Sequence, residues 1–178
     1  TDPSVAQWIS VAGGSWNNPL NWLGGFLPSQ SRDAHFDLKS SSSYSALIDS
    51  DIGTIKNVNL GNLIDSGVVV DVVQGGKVAF KDGNVNVEKG GVFQVSGGEV
   101  SATNTLFNFE AGSEFRMSGG VFALTNTTKR AFTLKEGSSF NMTGGEFILS
   151  GGIELLYPYG NTKMNISGDA VMDLMSSK

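Results

Sequence analysis

The sequence predicts an all-β protein, folded as a single-domain, three-sided parallel β-helix (a solenoid) of about five coils with a Trp-rich N-terminal cap. Three observations predict this class: a repeat of 22 to 25 residues, an alternation of apolar and polar residues within each repeat, and Gly pairs that punctuate it. A repeat of this length is typical of solenoids. Alternation with a period of two is typical of β-strands.

The repeat is clearest in the second half of the chain. Equivalent stretches cover residues 88–98, 110–120, 135–145 and, with weaker similarity, 159–169. One position is held in turn by Phe93, Phe115, Phe140 and Met164, at spacings of 22, 25 and 24 residues. An earlier, degenerate copy ends at the Gly75–Gly76 pair.

Each repeat divides into three short strands with Gly at two of the corners. In the repeat around Phe115, the alternating apolar pairs are Phe107/Phe109, Phe115/Met117 and Phe122/Leu124. Stacking of equivalent strands then predicts two inward columns, Phe93/Phe115/Phe140/Met164 and Val95/Met117/Met142/Ile166. Gly suits the corners because it adopts positive φ easily and has no Cβ to crowd the next coil.

The N-terminal part departs from this repeat. Residues 1–65 are expected to form a cap and the first irregular strands, and residues 66–178 the coils of the same domain. Trp8, Trp16 and Trp22 all lie in the first part. Because the end coil of a solenoid cannot pair its outer edge and Trp buries a large apolar area, we expect the Trp cluster to plug the open mouth.

Composition excludes several partners and chemistries. The chain of 178 residues has no Cys, which excludes disulfides and thiolate metal sites. A net charge of -5 and a pI of about 4.7 argue against nucleic acid and anionic membranes as partners. No apolar run approaches the ~18 residues of a membrane span, so no membrane insertion is expected.

The N-terminal order of residues resembles a known group of proteins. Trp8, Gly14-Ser15-Trp16, Asn21-Trp22, Gly25 and Pro28, followed by coils with Gly pairs, is similar to the start of secreted bacterial parallel β-helix proteins. These are the pectin-lyase-like and autotransporter-passenger-like proteins, which include solenoid carbohydrate-binding modules. The resemblance implies an extracellular or cell-surface location. It does not choose among adhesins, lyases and binding modules, because one fold serves many functions.

Residues suited to catalysis or metal binding are sparse, so we expect a protein that is not an enzyme and has no cofactor or metal. His35 is the only His, and a single His beside Asp33 is typical of a structural residue. Asp33, Asp49 and Asp51 lack the fixed spacing of a Ca²⁺ loop, although a weak site stays open. A small polysaccharide lyase is the second alternative function, for which the resemblance implies Arg116 or Arg130 as the base.

Outward positions predict a ligand surface. The column on the middle strands is Gln94, Arg116, Asn141 and Asn165, at rises of about 4.8 Å. Sugar hydroxyls bind amide and guanidinium groups, and sugar rings stack on aromatic faces such as those of Tyr157 and Tyr159. The favoured hypothesis is a noncatalytic extracellular module that binds a polysaccharide chain, as part of a larger secreted enzyme or surface protein. The plainer alternative is that these side chains only keep the sheet soluble and shield the last coil.

The first alternative function is a structural or adhesive solenoid segment of a bacterial surface protein. Its sign would be an end coil left open for stacking onto further repeats. On the third strands, Val121, Ile148 and Met172 are predicted to point outward and to form an apolar face. Such a face predicts a weak oligomer.

Overall fold

A computed structural model of the protein describes residues 4–61 and 67–175 and shows three parallel β-sheets wound into a solenoid. The first sheet contains β1 (Val5–Gln7), β3 (Asp33–Phe36), β6 (Val58–Leu60), β9 (Asn84–Val87), β12 (Leu106–Phe109), β15 (Phe132–Leu134) and β18 (Leu156–Pro158). The second contains β2 (Gly14–Ser15), β4 (Tyr44–Ile48), β7 (Val68–Val72), β10 (Gly91–Val95), β13 (Glu114–Met117), β16 (Ser139–Met142) and β19 (Lys163–Ile166). The third contains β5 (Asp51–Ile55), β8 (Lys77–Lys81), β11 (Glu99–Thr103), β14 (Val121–Thr125), β17 (Glu146–Ser150) and β20 (Val171–Met175).

The predicted fold class is confirmed, with seven strands in each of the first two sheets and therefore about seven turns rather than five. The two additional turns lack the aromatic marker of the repeat, since Gly14 and Ala46 occupy the position equivalent to Phe93. The predicted division at residue 65 lies outside the described residues. Parallel pairing already begins at β1, which pairs with β3.

The two predicted inward columns of the second sheet are in register. Phe93 pairs with Phe115, Phe115 with Phe140 and Phe140 with Met164. The Phe115 and Phe140 rings are stacked with centroids 4.9 Å apart. Each turn therefore buries its inward side chains against those of the turns above and below, which is how short strands build one continuous core.

The Trp cap is confirmed at the N-terminal end. Trp8, Trp16 and Trp22 are buried and surround the Phe36 ring, with centroids 5.3 to 5.5 Å from it. The chain between β2 and β3 forms two 3-10 helices, Pro19–Asn21 and Leu23–Gly25. Within residues 4–61 and 67–175, no helix is long and apolar enough to cross a membrane.

The Gly corners are as tight as predicted. A Cβ on Gly98 would lie 2.5 Å from the Val73 carbonyl oxygen and 2.6 Å from that of Gly76, so no larger residue fits without a backbone shift. Gly145 has a φ of 84°, which favours Gly over residues with a Cβ. These corners let neighbouring turns approach closely enough to pair.

The prediction that Met172 points outward is wrong. Met172 pairs with Phe147, which is buried, and packs against the core. The outward position beside it belongs to Asp173, which pairs with Ile148. The turn before β20 shifts the alternation by one residue relative to the sequence pattern, and a shift of one residue exchanges the two faces of a strand.

Candidate functional site

The predicted polar column on the second sheet is present. Its residues pair in register from Asp71 through Gln94, Arg116, Asn141 and Asn165. Gln94 donates its Nε2–H to Asp71 Oδ2 at 2.7 Å, and Asn165 donates its Nδ2–H to Asn141 Oδ1 at 2.7 Å. The predicted residues therefore lie together, and they also hydrogen-bond to one another from turn to turn.

Glu114, which the sequence analysis did not single out, lies in the neighbouring column on the same face and links two members of this one. Its carboxylate accepts Arg116 Nη2–H at 2.7 Å and Arg116 Nε–H at 3.2 Å, and also Asn141 Nδ2–H at 2.7 Å. Arg116 Nη1 donates in addition to Gln94 Oε1 at 3.0 Å. Of the five N–H groups of a guanidinium, Arg116 thus uses three within the column. The remaining N–H groups are the donors that the column can offer to a ligand.

A second polar column runs along the first sheet. Its residues are Gln7, His35, Asn59, Asn86, Asn108, Thr133 and Tyr157. Asn108 donates to Asn86 Oδ1 at 2.9 Å, Asn86 to Asn59 Oδ1 at 3.2 Å, and Asn59 to His35 Nε2 at 3.0 Å. His35 is therefore a member of an amide ladder.

Tyr157 and Tyr159 lie on the outward face of the first sheet, with ring centroids 5.1 Å apart and planes at 80°. The Arg130 guanidinium carbon lies 3.7 Å from the Tyr157 ring centroid, and Lys135 Nζ lies 5.2 Å from that of Tyr159. Each ring therefore has a cation over one face. Tyr159 is 39% exposed, so part of its surface is open to a ligand. The tyrosines sit on a different sheet from the Arg116 column, so the predicted residues form two surfaces.

The acidic residues weighed for a Ca²⁺ site do not gather. Asp33 accepts from Asn57, Asp49 from Ser15 Oγ, and Asp51 from the backbone of its own turn. Over the described ranges, no group of three or more His, Asp or Glu side chains is arranged to hold a metal ion.

Tyr44 is a buried titratable group, placed in the core by β4. Burial, and next the charge of Asp37, raise the pKa of Tyr44 to about 12. A contact with the Leu38 backbone offsets a smaller part of this rise, but the hydroxyl makes no well-formed hydrogen bond among the residues that the structure describes. Its role is therefore in the core and not at a ligand surface.

The predicted apolar face of the third sheet is interrupted by charges. Val121 and Ile148 are half-buried and lie in neighbouring columns. Val121 pairs with Glu146, and Ile148 pairs with Asp173. With Met172 turned inward, these two side chains do not form a continuous patch. An oligomer through this face thus has no support from the geometry.

The last described turn of the solenoid leaves inward positions exposed. Ile166 is 49% exposed, whereas Met142, its equivalent one turn earlier, is fully buried. Leu174 is likewise 51% exposed, and it pairs with the buried Leu149. A cavity of about 210 Å³ opens beside Leu174 and is lined also by Leu149, Leu155 and Leu156. The last turn thus presents core side chains to solvent.

Comparison with protein-family models, with curated proteins and with solved structures finds no match. The two polar columns, the Tyr pair and the open end are therefore the features from which a function can be argued.

Proposed function

We propose that this chain is a noncatalytic structural or adhesive solenoid segment of an extracellular or cell-surface protein, and that its last described turn stacks against a further strand-bearing turn. The observation that carries the proposal is the open last turn, where inward residues remain half-exposed. Soluble proteins manage such edges with caps, charges or proline, because uncovered edges pair with other chains. The location rests on the resemblance of the N-terminal residues.

The two polar columns support a structural role. Their side chains hydrogen-bond between turns and so add links along the solenoid axis beyond the backbone ladders. Each such bond contributes about 1 kcal/mol to stability. Because the polar side chains of each column hydrogen-bond to one another, the columns stiffen the solenoid without a bound ligand.

Adding one turn to the chain tests the proposal. Residues 176–178 are replaced by a copy of residues 126–150, which carry one complete set of three strands. The added turn should cover the exposed halves of Ile166 and Leu174. Covering each half should raise the free energy of unfolding by about 1 kcal/mol, since full burial of such a side chain contributes roughly 1.5–3 kcal/mol. Thermal unfolding reports the gain in stability.

The matched control carries Ser at the copied positions of Phe132, Phe140 and Phe147. This turn has the same length and Gly corners but cannot fill the interior, so it should give no gain. If the Phe-bearing turn gave no gain over the Ser-bearing control, the end would not accept a further turn and the proposal would fail.

Glycan binding is the second candidate function, and the exposed part of Tyr159 favours it. An open aromatic surface beside Lys135 offers a ring for stacking and a cation for hydroxyl or carboxylate groups. On the second sheet, the remaining N–H groups of Arg116 offer donors at a separate place. A polysaccharide chain would contact either surface without catalysis.

Affinity electrophoresis against neutral and anionic polysaccharides tests this candidate. Tyr159→Ala and Tyr157→Ala should weaken binding if the Tyr pair is the site, and Arg116→Ala if the column is. Gln30→Ala, at an exposed position near the other end, is the control. Absence of retardation by every polysaccharide, with the chain folded, would remove the candidate.

A further inference from the structure

Arg130 carries a guanidinium group that the rest of the chain leaves almost unused. Its side chain makes no hydrogen bond to any residue that the structure describes. Its only charged partner among those residues is Glu154, with Nε and Oε2 3.8 Å apart, which is longer than a hydrogen bond. Arg116, by contrast, uses three of its five N–H groups within its column. Of these two arginines, Arg130 is therefore the one whose donors can all serve a ligand.

The ring of Tyr157 holds this guanidinium in place. The guanidinium carbon lies 3.7 Å from the ring centroid, which is a direct cation–π contact. A guanidinium that lies on an aromatic face keeps its N–H groups at its edge, where they can bind an acceptor. The Arg130 side chain is 46% exposed, so a ligand can reach it from solvent. Because its position is set before binding, little conformational freedom is lost when a ligand arrives.

The backbone at Arg130 is unusual for this residue type. In four successive turns, the residue two positions before the strand of the first sheet has a positive φ: 56° at Asp82, 48° at Asn104, 58° at Arg130 and 53° at Glu154. Asp and Asn accept this left-handed region readily, whereas a long side chain is disfavoured there. Strained positions of this kind cluster at functional sites. The fold alone would be served better by Asn or Gly at position 130.

A second cation lies on the same surface. Lys135 Nζ is 5.2 Å from the ring centroid of Tyr159, and it forms no ion pair or hydrogen bond within the described part of the chain. The nearest acid in the sequence, Glu136, already accepts the Asn161 Nδ2–H at 2.7 Å. Since the rings of Tyr157 and Tyr159 are 5.1 Å apart, the two cations flank one pair of rings on the outward face of the first sheet.

The geometry points to an acidic polysaccharide as the ligand of this surface, with one carboxylate or sulfate group bound by the Arg130 guanidinium and a second attracted by Lys135. Two N–H groups at the edge of a guanidinium match two oxygen atoms of such a group. Hydrogen bonds between charged partners are about twice as strong as those to neutral hydroxyl groups, so an acidic polymer uses these donors better than a neutral one.

This inference rests on the second candidate function, which states only that a glycan binds, and it adds the charge of the glycan and the residue that recognises it. Isothermal titration calorimetry of the full chain tests it. Alginate carries carboxylate groups and dextran sulfate carries sulfate groups; carboxyl-reduced alginate and dextran are their uncharged counterparts. We expect at least one acidic polymer to bind at least tenfold more tightly than its uncharged counterpart. The polymer that does so identifies the group that Arg130 binds.

Three variants place the binding at Arg130. Arg130→Asn removes the guanidinium and should raise the dissociation constant at least tenfold. Its melting temperature should be nearly unchanged, because a backbone conformation that suits Asn offsets the lost contact with Tyr157. Arg130→Lys keeps the charge but loses the paired donors and should raise the dissociation constant severalfold. Lys77→Gln is the control, since it removes the same charge at an exposed position on the third sheet and should leave the dissociation constant unchanged.

The outcomes separate this inference from the candidate function on which it rests. Equal affinity for the acidic and the uncharged polymers would overturn the inference and leave glycan binding standing. Equal weakening by Arg130→Asn and Lys77→Gln would show that net charge drives binding, and this too would overturn the inference. Absence of binding to all four polymers, with the chain folded, would overturn the inference and the glycan candidate together. The structural role is decided separately, by the added turn.

Discussion

Phe115→Ala and Arg116→Ala test the alternation on which every inward and outward assignment depends. The two residues are neighbours on β13, but Phe115 is fully buried and Arg116 is exposed. The Phe115 ring stacks on Phe140 at 4.9 Å and meets Phe132 and Phe147 edge-on at 5.2 and 5.5 Å. Its removal leaves a cavity at the centre of the Phe core.

The expected losses differ by several kcal/mol. Truncating a buried Phe to Ala costs about 3–5 kcal/mol, because the surrounding rings cannot collapse into the space. The Arg116→Ala variant loses the ion pair between Arg116 and Glu114 and one hydrogen bond to Gln94. The Arg116 side chain is 46% exposed and the Glu114 side chain is 20% exposed. Ion pairs at such exposed positions are worth about 0–1 kcal/mol, and one more hydrogen bond adds about 1 kcal/mol.

Urea unfolding followed by far-ultraviolet circular dichroism measures both variants. The free energy of unfolding should fall by about 3–5 kcal/mol for Phe115→Ala and by about 1–2 kcal/mol for Arg116→Ala, with an unchanged dependence on urea concentration. Equal losses would refute the alternation and with it the assignment of both polar columns to the surface.

Three further predictions address the corners, the core and the ladder. Gly98→Ala should lower the free energy of unfolding by about 1–3 kcal/mol through its clash with the neighbouring turn, whereas Gly160→Ala, with nothing within 4 Å of the new Cβ, should have little effect in the same thermal unfolding assay. Because the pKa of Tyr44 is raised to about 12, the folded state retains this proton more strongly than the unfolded state. The contribution of protonated Tyr44 to stability is therefore fully present below pH 10 and is lost as the pH rises through 12. In denaturant titrations at pH 8 and pH 11, Tyr44→Phe should remove this loss of stability at alkaline pH. Asn86→Ala breaks the amide ladder on both sides and should cost about 1–2 kcal/mol in urea unfolding; an unchanged midpoint would show that the ladder adds no stability.

The sequence predicted the coils best where each turn repeats a large apolar marker. From β9 onward the markers are Phe or Met, and the predicted columns pair in register. The two turns before the degenerate copy carry Gly14 and Ala46 at the marker position, next to the Trp cap. Their strands are regular but their side chains share no pattern, so about two turns were missed.

At the surface, the positions were predictable but their interactions were not. Glu114 stands two residues before Arg116, so the alternation places it on the same face, and this signal was present in the sequence. Whether its carboxylate reaches Arg116, Asn141 or solvent depends on side-chain conformations that alternation does not specify. The exposure of Ile166 could not be predicted either, because the sequence pattern assigns it the same inward position as the buried Met142.

Two corner loops show where a ligand surface is best placed on this solenoid. After β11, the corner between the third and first sheets takes only two residues. In the two later turns the same corner is formed by longer loops, residues 126–131 and 151–155. These loops stack: the Arg130 N–H donates to the Glu154 carbonyl at 3.1 Å, and the Arg130 side chain covers Tyr157. Loops that depart from a repeat carry function more often than the repeat does. If glycan binding is found, it should therefore depend on Tyr157 and Tyr159 more than on the Arg116 column, whose polar groups are largely satisfied by one another.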